Sequence, residues 1–162
     1  ITNELYATEN SRDWLGEDTP PDEINIMESN KHYGWPFCYG NNIPDPEFGD
    51  ENCKNREPSF IDLQAHSAPL GLAFNFGHNF PDEYKGDLFV AYHGSWNRKV
   101  PTGYKIVRID MNTKQVYDFA TGWLTEDNKV LGRPVDIIFD KDGIMYVSDD
   151  FAGMIYMIHY IK

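Results

Sequence analysis

The 162-residue chain carries 26 acidic side chains against 14 basic ones, a formal net charge of −12. A field of that sign repels nucleic acid and anionic membrane, and it leaves neutral or cationic ligands, metal ions included, as the partners to consider. No apolar run approaches the roughly 20 residues of a membrane helix, and the 15% of aromatic residues favours an all-β architecture with large aromatic packing.

The chain opens without Met on Ile1-Thr2-Asn3-Glu4-Leu5-Tyr6, already strand-like, which leads us to expect a longer protein. The run Asn3–Asn10 reads as a strand. It feeds a loop, Thr8–Gly16, that continues into the acidic, proline-rich stretch Glu17–Glu23. Glu9, Asp13 and Asp22, with the loop's backbone carbonyls, offer the oxygens that a hard cation takes. The spacing is not that of an EF-hand, and a solvated acidic loop is the alternative. An apolar return, Asp22–Met27, follows, and then His32-Tyr33-Gly34-Trp35-Pro36, which we read as a structural corner. Residues 34–58 form a long loop insertion, and its segment Cys38–Pro46 is too polar and too broken by Pro and Gly to be an element. Cys38 and Cys53 fall inside the insertion. They form either a disulfide, which would imply an oxidising compartment, or two free thiols. They match no zinc pattern.

His66 stands just before a strand, Pro69–Phe74, where it lines a site or caps the strand. The strand-like run Gly86–Val90 then leads into Ala91-Tyr92-His93-Gly94-Ser95-Trp96-Asn97-Arg98, and Gly103–Ile109 leads away. A turn that only reversed the chain would be built from Asn, Asp, Gly or Pro. Here His93, Trp96, Asn97 and Arg98 supply an imidazole, an indole, an amide and a guanidinium, groups suited to a planar, anionic ligand. A decorated surface loop is the alternative. His78 and His159 have no acidic or thiolate neighbours and read as surface or structural. Arg133, in Gly132-Arg133-Pro134-Val135-Asp136, precedes a strand and is expected to face the same mouth as His66. Asp149 and Asp150 follow another strand and are expected to pair with a neighbouring Arg in preference to a metal.

Three runs share one form: Asn3–Asn10, Gly86–His93 and Gly143–Asp150. Each has a turn residue, a bulky apolar pair, a small or β-branched pair and then polar groups, and each is followed by an apolar return. Pro69–Phe74 and Pro134–Phe139 precede two of them with a shared Pro-x-x-apolar-apolar-Phe pattern. The repeating unit is strand, turn, strand, loop, strand, unevenly spaced, which is the pattern of β-propeller blades. The polar strand ends should then gather at one mouth of a central channel. About three blades are present, so residues 1–162 read as one domain, the C-terminal portion of a propeller. A partner fragment or a second copy is expected to cover its edges.

The serines lack the strand–elbow setting of a nucleophile. There is no phosphate loop, dinucleotide fingerprint or HExxH. The segments Glu9–Gly16, Asp22–Asn25, His32–Pro36, His66–Phe74, His93–Arg98, Pro101–Tyr104 and Gly132–Asp136 together resemble the soluble quinoprotein sugar dehydrogenases. These include glucose and aldose dehydrogenases, sorbosone dehydrogenase-like proteins and fungal pyranose dehydrogenases. The likeness covers nearly the whole chain in order, as the C-terminal half of such a protein, and the His-Gly-Ser-Trp-Asn-Arg loop is similar to that of the sorbosone or pyranose type.

The resemblance implies a six-bladed propeller that binds pyrroloquinoline quinone (PQQ) and Ca2+ and oxidises an aldose or sorbosone-type sugar at C1, with an external electron acceptor. By position, Ser11 and Arg12 match the turn whose backbone carbonyls hold calcium, and Arg133 matches an arginine at the quinone. The loop holding His93, Trp96, Asn97 and Arg98 takes the place of a cofactor-binding lysine, and His66 joins this cofactor set. The chain departs from the glucose dehydrogenase branch in having no Lys there and Val135 in place of a second arginine. The catalytic histidine belongs to the half that the chain does not match, so no catalytic residue is assigned and the chain alone is expected to be inactive. The expected location is periplasmic or extracellular. The competing readings are a non-catalytic propeller domain that binds carbohydrate or protein, and a calcium-dependent lactonase on a similar propeller.

Overall fold

A computed structural model describes residues 3–49 and 52–161. The chain divides into two compact units. One holds the residues up to Ala68 together with Ser95–Thr102, and the other holds Pro69–Gly94 and the residues from Gly103 onward.

In the first unit, β1 (Leu5–Glu9) pairs antiparallel with β2 (Asp22–Met27), Glu9 facing Glu23 and Leu5 facing Met27. Two short strands, β3 (Cys38–Tyr39) and β4 (Ile43–Pro44), pair with each other inside the insertion, and β5 (Ile61–Leu63) returns to the far side of β2. The insertion therefore does hold an element, contrary to its Pro- and Gly-broken sequence. Two residues per strand are enough because the chain reverses through Gly40 and Asn42, both at positive φ. The Cys38–Cys53 alternatives resolve as a disulfide, with both residues buried and their Cα atoms 5.8 Å apart. Because β2 is central, Asp22, Glu23, Ile24 and Asn25 are all buried. A buried carboxylate needs donors. Glu23 receives the Gly40 N–H at 2.6 Å and the Asn25 Nδ2 at 3.1 Å. The corner at residues 32–36 is structural as read: Tyr33 donates its hydroxyl to the Ile26 carbonyl at 2.7 Å and accepts the Glu28 N–H at 2.6 Å.

The second unit is two antiparallel meanders. The strands β6 (Pro69–Phe74), β7 (Leu88–Tyr92), β8 (Lys105–Asp110) and β9 (Gln115–Ala120) pair in sequence order. So do β10 (Pro134–Phe139), β11 (Met145–Asp149) and β12 (Met154–Ile158). The shared pattern of β6 and β10 has a structural meaning. Each begins on a Pro, which tolerates a missing ladder donor at a strand start. Each also shifts register just after it, between Pro69 and Leu72 and between Pro134 and Asp136. The sheets meet where β10 packs on β6 and β7. Their core holds Phe80, Phe89, Ile106, Ile137, Met145 and Val147. The Phe89 ring stands edge-on to Phe119 at 4.8 Å and to Phe139 at 5.5 Å, pairs worth about 0.5–1.5 kcal/mol each beyond their burial. The strands β5 and β9 carry little sequence signal: one is three residues long and the other is mostly exposed.

Candidate functional site

In the first unit the loop after β1 is fastened by Asp22. Its Oδ1 accepts the Ser11 N–H at 3.0 Å and its Oδ2 accepts the Ala68 N–H at 2.9 Å, while the Ser11 hydroxyl donates to the Pro21 carbonyl. One buried carboxylate thus joins the Ser11–Arg12 turn to the segment that carries His66. Arg12 is engaged elsewhere, donating to Asp45 at 3.0 Å and Glu47 at 2.9 Å with its guanidinium over the Phe48 ring. Its side chain therefore has no part in a metal site, and what Ser11 and Arg12 offer an ion is backbone oxygen.

The same turn sits over crowded negative charge. Burial, then the charges of Glu23 and Asp22, push the Glu9 carboxyl up to about 7. Burial pushes Asp22 up to about 6, against the lowering effect of the Ser11 and Ala68 N–H groups and of His66. Glu23 is raised chiefly by burial as well. Asn25 donates its Nδ2 to Glu9 and Glu23, and its own Oδ1 is buried without a partner among the described residues. Net negative charge and an unspent oxygen suit a hard cation close to the turn. Among the described residues no three His, Cys, Asp or Glu side chains are grouped to hold a metal, so an ion here would depend on carbonyl ligands.

His66, Trp96, Asn97 and Arg98 all come together around the acidic loop. His66 is buried at φ +63, with Nε2 2.7 Å from the Gly16 carbonyl and Nδ1 3.8 Å from Asp13. Asn97 donates Nδ2 to Asp13 at 2.6 Å, and Arg98 donates to Asp18 at 2.9 Å and to the Ala65 carbonyl at 3.3 Å. The Lys99 N–H reaches Glu17 at 3.1 Å, and Ser95 and Thr102 close the base of the loop through two hydrogen bonds. The Trp96 indole stands edge-on to Trp14 at 5.3 Å. Asp13, one source of the oxygens expected for a cation, instead anchors the basic loop together with Asp18. No local signal sets the register of that pairing, because the partners are 84 and 80 positions apart.

His93 and Arg133 belong to the second unit. Arg133 donates Nε to the His93 carbonyl at 3.0 Å and Nη2 to the Gly94 carbonyl, with its guanidinium 5.5 Å from the centre of the Tyr104 ring. Gly94 is required where it stands: at φ +102, a Cβ would lie 2.5 Å from the Tyr104 ring. Asp149 accepts the Arg133 N–H at 2.9 Å, the Ala152 N–H at 2.8 Å and the Tyr156 hydroxyl at 2.9 Å. Burial alone would raise this carboxyl, but those donors hold it below the usual aspartate range. A Cβ on Gly132 would fall 2.0 Å from the same carboxylate. The expected aspartate–arginine salt bridge is therefore corrected. Asp149 holds the backbone of Arg133, and Asp150 pairs with His93 Nε2 at 2.9 Å, which lowers the Asp150 carboxyl. His78 and His159 are exposed.

The TrAA12-like family matches residues 2–161. An uncharacterized protein of Borreliella burgdorferi is 44% identical over all of this chain, which covers 45% of that protein. A PQQ-dependent pyranose dehydrogenase of Coprinopsis cinerea is 33% identical over 66% of this chain and 17% of its own length. Among solved structures, the holo form of the Coprinopsis cinerea pyranose dehydrogenase PQQ domain superposes with a TM-score of 0.73 at 21% identity, covering 97% of this chain and 51% of that one. The calcium structure of the Trichoderma reesei AA12 carbohydrate-active enzyme gives 0.71 at 24% identity, covering 95% and 48%. The three meanders are blades of a partial β-propeller, and the chain spans about half the length of these solved relatives.

Proposed function

The chain belongs to the TrAA12-like family, and from that premise we propose that it is part of a quinoprotein oxidoreductase that uses PQQ and Ca2+ to oxidise an aldose or sorbosone-type sugar at C1. The observation that carries this reading is Arg98. Its guanidinium is nearly buried and held by Asp18 and the Ala65 carbonyl, and its Nε is buried with no acceptor among the described residues. A desolvated donor left without an acceptor is costly, and a carboxylate-bearing ligand that displaces the exposed Asp18 carboxylate would supply one. By chemistry alone, His66, Trp96, Asn97 and Arg98 within the first unit are residues of the kind that take a quinone, and so, within the second unit considered by itself, are His93 and Arg133. Arg133 spends Nε and Nη2 on backbone carbonyls, which orients the fork and leaves its Nη1 donors for a ligand. The carbonyls of Ser11 and Arg12 would hold calcium.

When bound, the quinone supplies the hydride acceptor and calcium polarises its carbonyl. The chain's own contribution is to bind and orient. No side chain in it is assigned as the base at the sugar C1 hydroxyl, so turnover depends on a histidine that this chain does not supply. An external electron acceptor closes the cycle, and a partner fragment or a second copy completes the propeller. The Cys38–Cys53 bridge supports a periplasmic or extracellular location. The guanidinium and indole groups of Arg98 and Trp96 favour this reading over the lactonase, which would surround its metal with carboxylates.

The test is an absorbance titration of the chain with PQQ in the presence of Ca2+. We expect saturable binding that Arg98→Ala weakens by at least tenfold. No spectral change at any calcium concentration would overturn the reading.

A further inference from the structure

The acidic loop of the first unit reaches Arg98 through Asp18, and that contact is incomplete. The Arg98 guanidinium donates Nη2 to Asp18 Oδ1 at 2.9 Å and Nη1 to the Ala65 carbonyl at 3.3 Å. Its Nε is buried with no acceptor among the described residues. In a guanidinium the Nε–H and one Nη2–H point the same way, and together they form an edge that a carboxylate meets with both oxygens. Asp18 fills half of that edge: it takes Nη2 and leaves Nε bare. The Arg98 side chain is 11% exposed and that of Asp18 is 86% exposed. Asp18 makes no other hydrogen bond among the described residues. The rest of the loop is tied without it. Asp13 accepts Asn97 Nδ2, the Gly16 carbonyl meets His66 Nε2, and Glu17 accepts the Lys99 N–H. Asp18 can therefore leave Arg98 by turning its side chain into water, with the loop still in place.

We propose that Asp18 is a built-in competitor for the cofactor: it stands where a ligand carboxylate would sit on Arg98, and so sets how tightly and how selectively the quinone binds. This inference rests on the quinoprotein reading and deepens it. A quinone carboxylate set square on the fork exchanges one bond, to Nη2, for two, to Nη2 and Nε. The exchange is favourable because the pair it breaks is exposed, and exposed ion pairs are weak. It is also selective. An anion that cannot bridge two donors, such as chloride, replaces one bond with one and gains nothing over Asp18. The competitor has a measurable consequence. Only the fraction of molecules with Asp18 turned away can take the carboxylate, and the observed affinity is lowered by that fraction. Removing the Asp18 charge should therefore tighten binding, the reverse of what loss of a binding residue does.

The test is the absorbance titration with PQQ and Ca2+, run on the whole chain with Asp18→Asn and, separately, Glu17→Gln. Each substitution deletes one negative charge from the same exposed stretch, and only the first touches Arg98. Glutamine at the second position keeps an acceptor for the Lys99 N–H. Both variants should melt at the wild-type temperature. Asp18→Asn should tighten PQQ binding about two- to fivefold, the ratio that the usual strength of an exposed pair gives. Glu17→Gln should change it by less than half as much. PQQ trimethyl ester, the same ring system with its carboxylates blocked, should gain nothing from Asp18→Asn. Unchanged or weaker binding by Asp18→Asn overturns the competitor. Equal tightening by both substitutions also overturns it, because general charge then explains the gain, and so does an equal gain with the ester. In each of these cases the wild-type chain still binds PQQ, and the quinoprotein reading stands. No PQQ binding by the wild type or either variant removes both.

Discussion

Arg133 donates its Nε–H to the carbonyl of His93 at 3.0 Å, and its backbone N–H goes to Asp149. One arginine is thus fixed at both ends, its main chain by a carboxylate on β11 and its guanidinium by the strand end after β7. Lysine cannot reproduce a planar fork that meets two successive carbonyls. Arg133→Lys should therefore leave the fold intact and weaken PQQ binding about tenfold, read by absorbance titration. An unchanged affinity would separate Arg133 from the cofactor.

Gly94 makes that seat possible. Gly94→Ala adds a methyl that collides with the Tyr104 ring and imposes a left-handed alanine. Overpacking of this kind costs about 1–3 kcal/mol. For a domain of this size we expect the melting temperature to fall by several degrees, with binding reduced beyond what the lost stability explains.

Asp149→Asn keeps the shape but weakens charge-assisted bonds from Arg133, Ala152 and Tyr156. Leaving such donors poorly satisfied costs about 1–3 kcal/mol, measurable by urea unfolding. The sign of the pH effect follows from its depressed folded pKa. The stabilisation is present above the unfolded aspartate value and is lost as pH falls through the folded value, so the difference between wild type and variant should vanish only in strong acid.

The blades were legible because a central strand buries both faces and its sequence says so, as in Leu88–Tyr92, while shared prolines marked the bulged entries at Pro69 and Pro134. Strands that bury little were not: β9 shows four exposed residues, and β5 and the β3–β4 pair are too short to carry a period. At the site, the residue types in the His93–Arg98 loop were legible, and their partners were not. Nothing local in Asp18 indicates that it meets Arg98, or in Trp14 that it meets Trp96, because those pairings are set by how the turns close.

The disulfide between Cys38 and Cys53 closes a loop of 15 residues, and a loop of that length stabilises the fold by about 3 kcal/mol through the unfolded chain. Paired Cys38→Ser and Cys53→Ser substitutions should lower the melting temperature by several degrees and abolish its dependence on reductant. A melting temperature of the native chain that reductant leaves unchanged would contradict the bridge.

Glu9 and Asp22 give the last prediction its sign. Both are raised on folding, to about 7 and about 6, with burial as the main cause in each. Between their unfolded values near 4 and these folded values, the native state binds more protons than the unfolded state, so stability falls as pH rises through that window. For Asp22 the loss is on the order of 2–3 kcal/mol, and Glu23, also raised, adds in the same direction. Near pH 7 Glu9 is still half protonated, so the loss is complete only well above that value, where the turn at Ser11 and Arg12 lies over uncompensated charge. A cation there should recover part of it. Calcium is therefore expected to raise the urea midpoint more at pH 7.5 than at pH 5, and Asp22→Asn should flatten the pH dependence while lowering calcium affinity. Equal stabilisation by calcium at both pH values would detach the ion from these carboxylates and leave the turn without a metal.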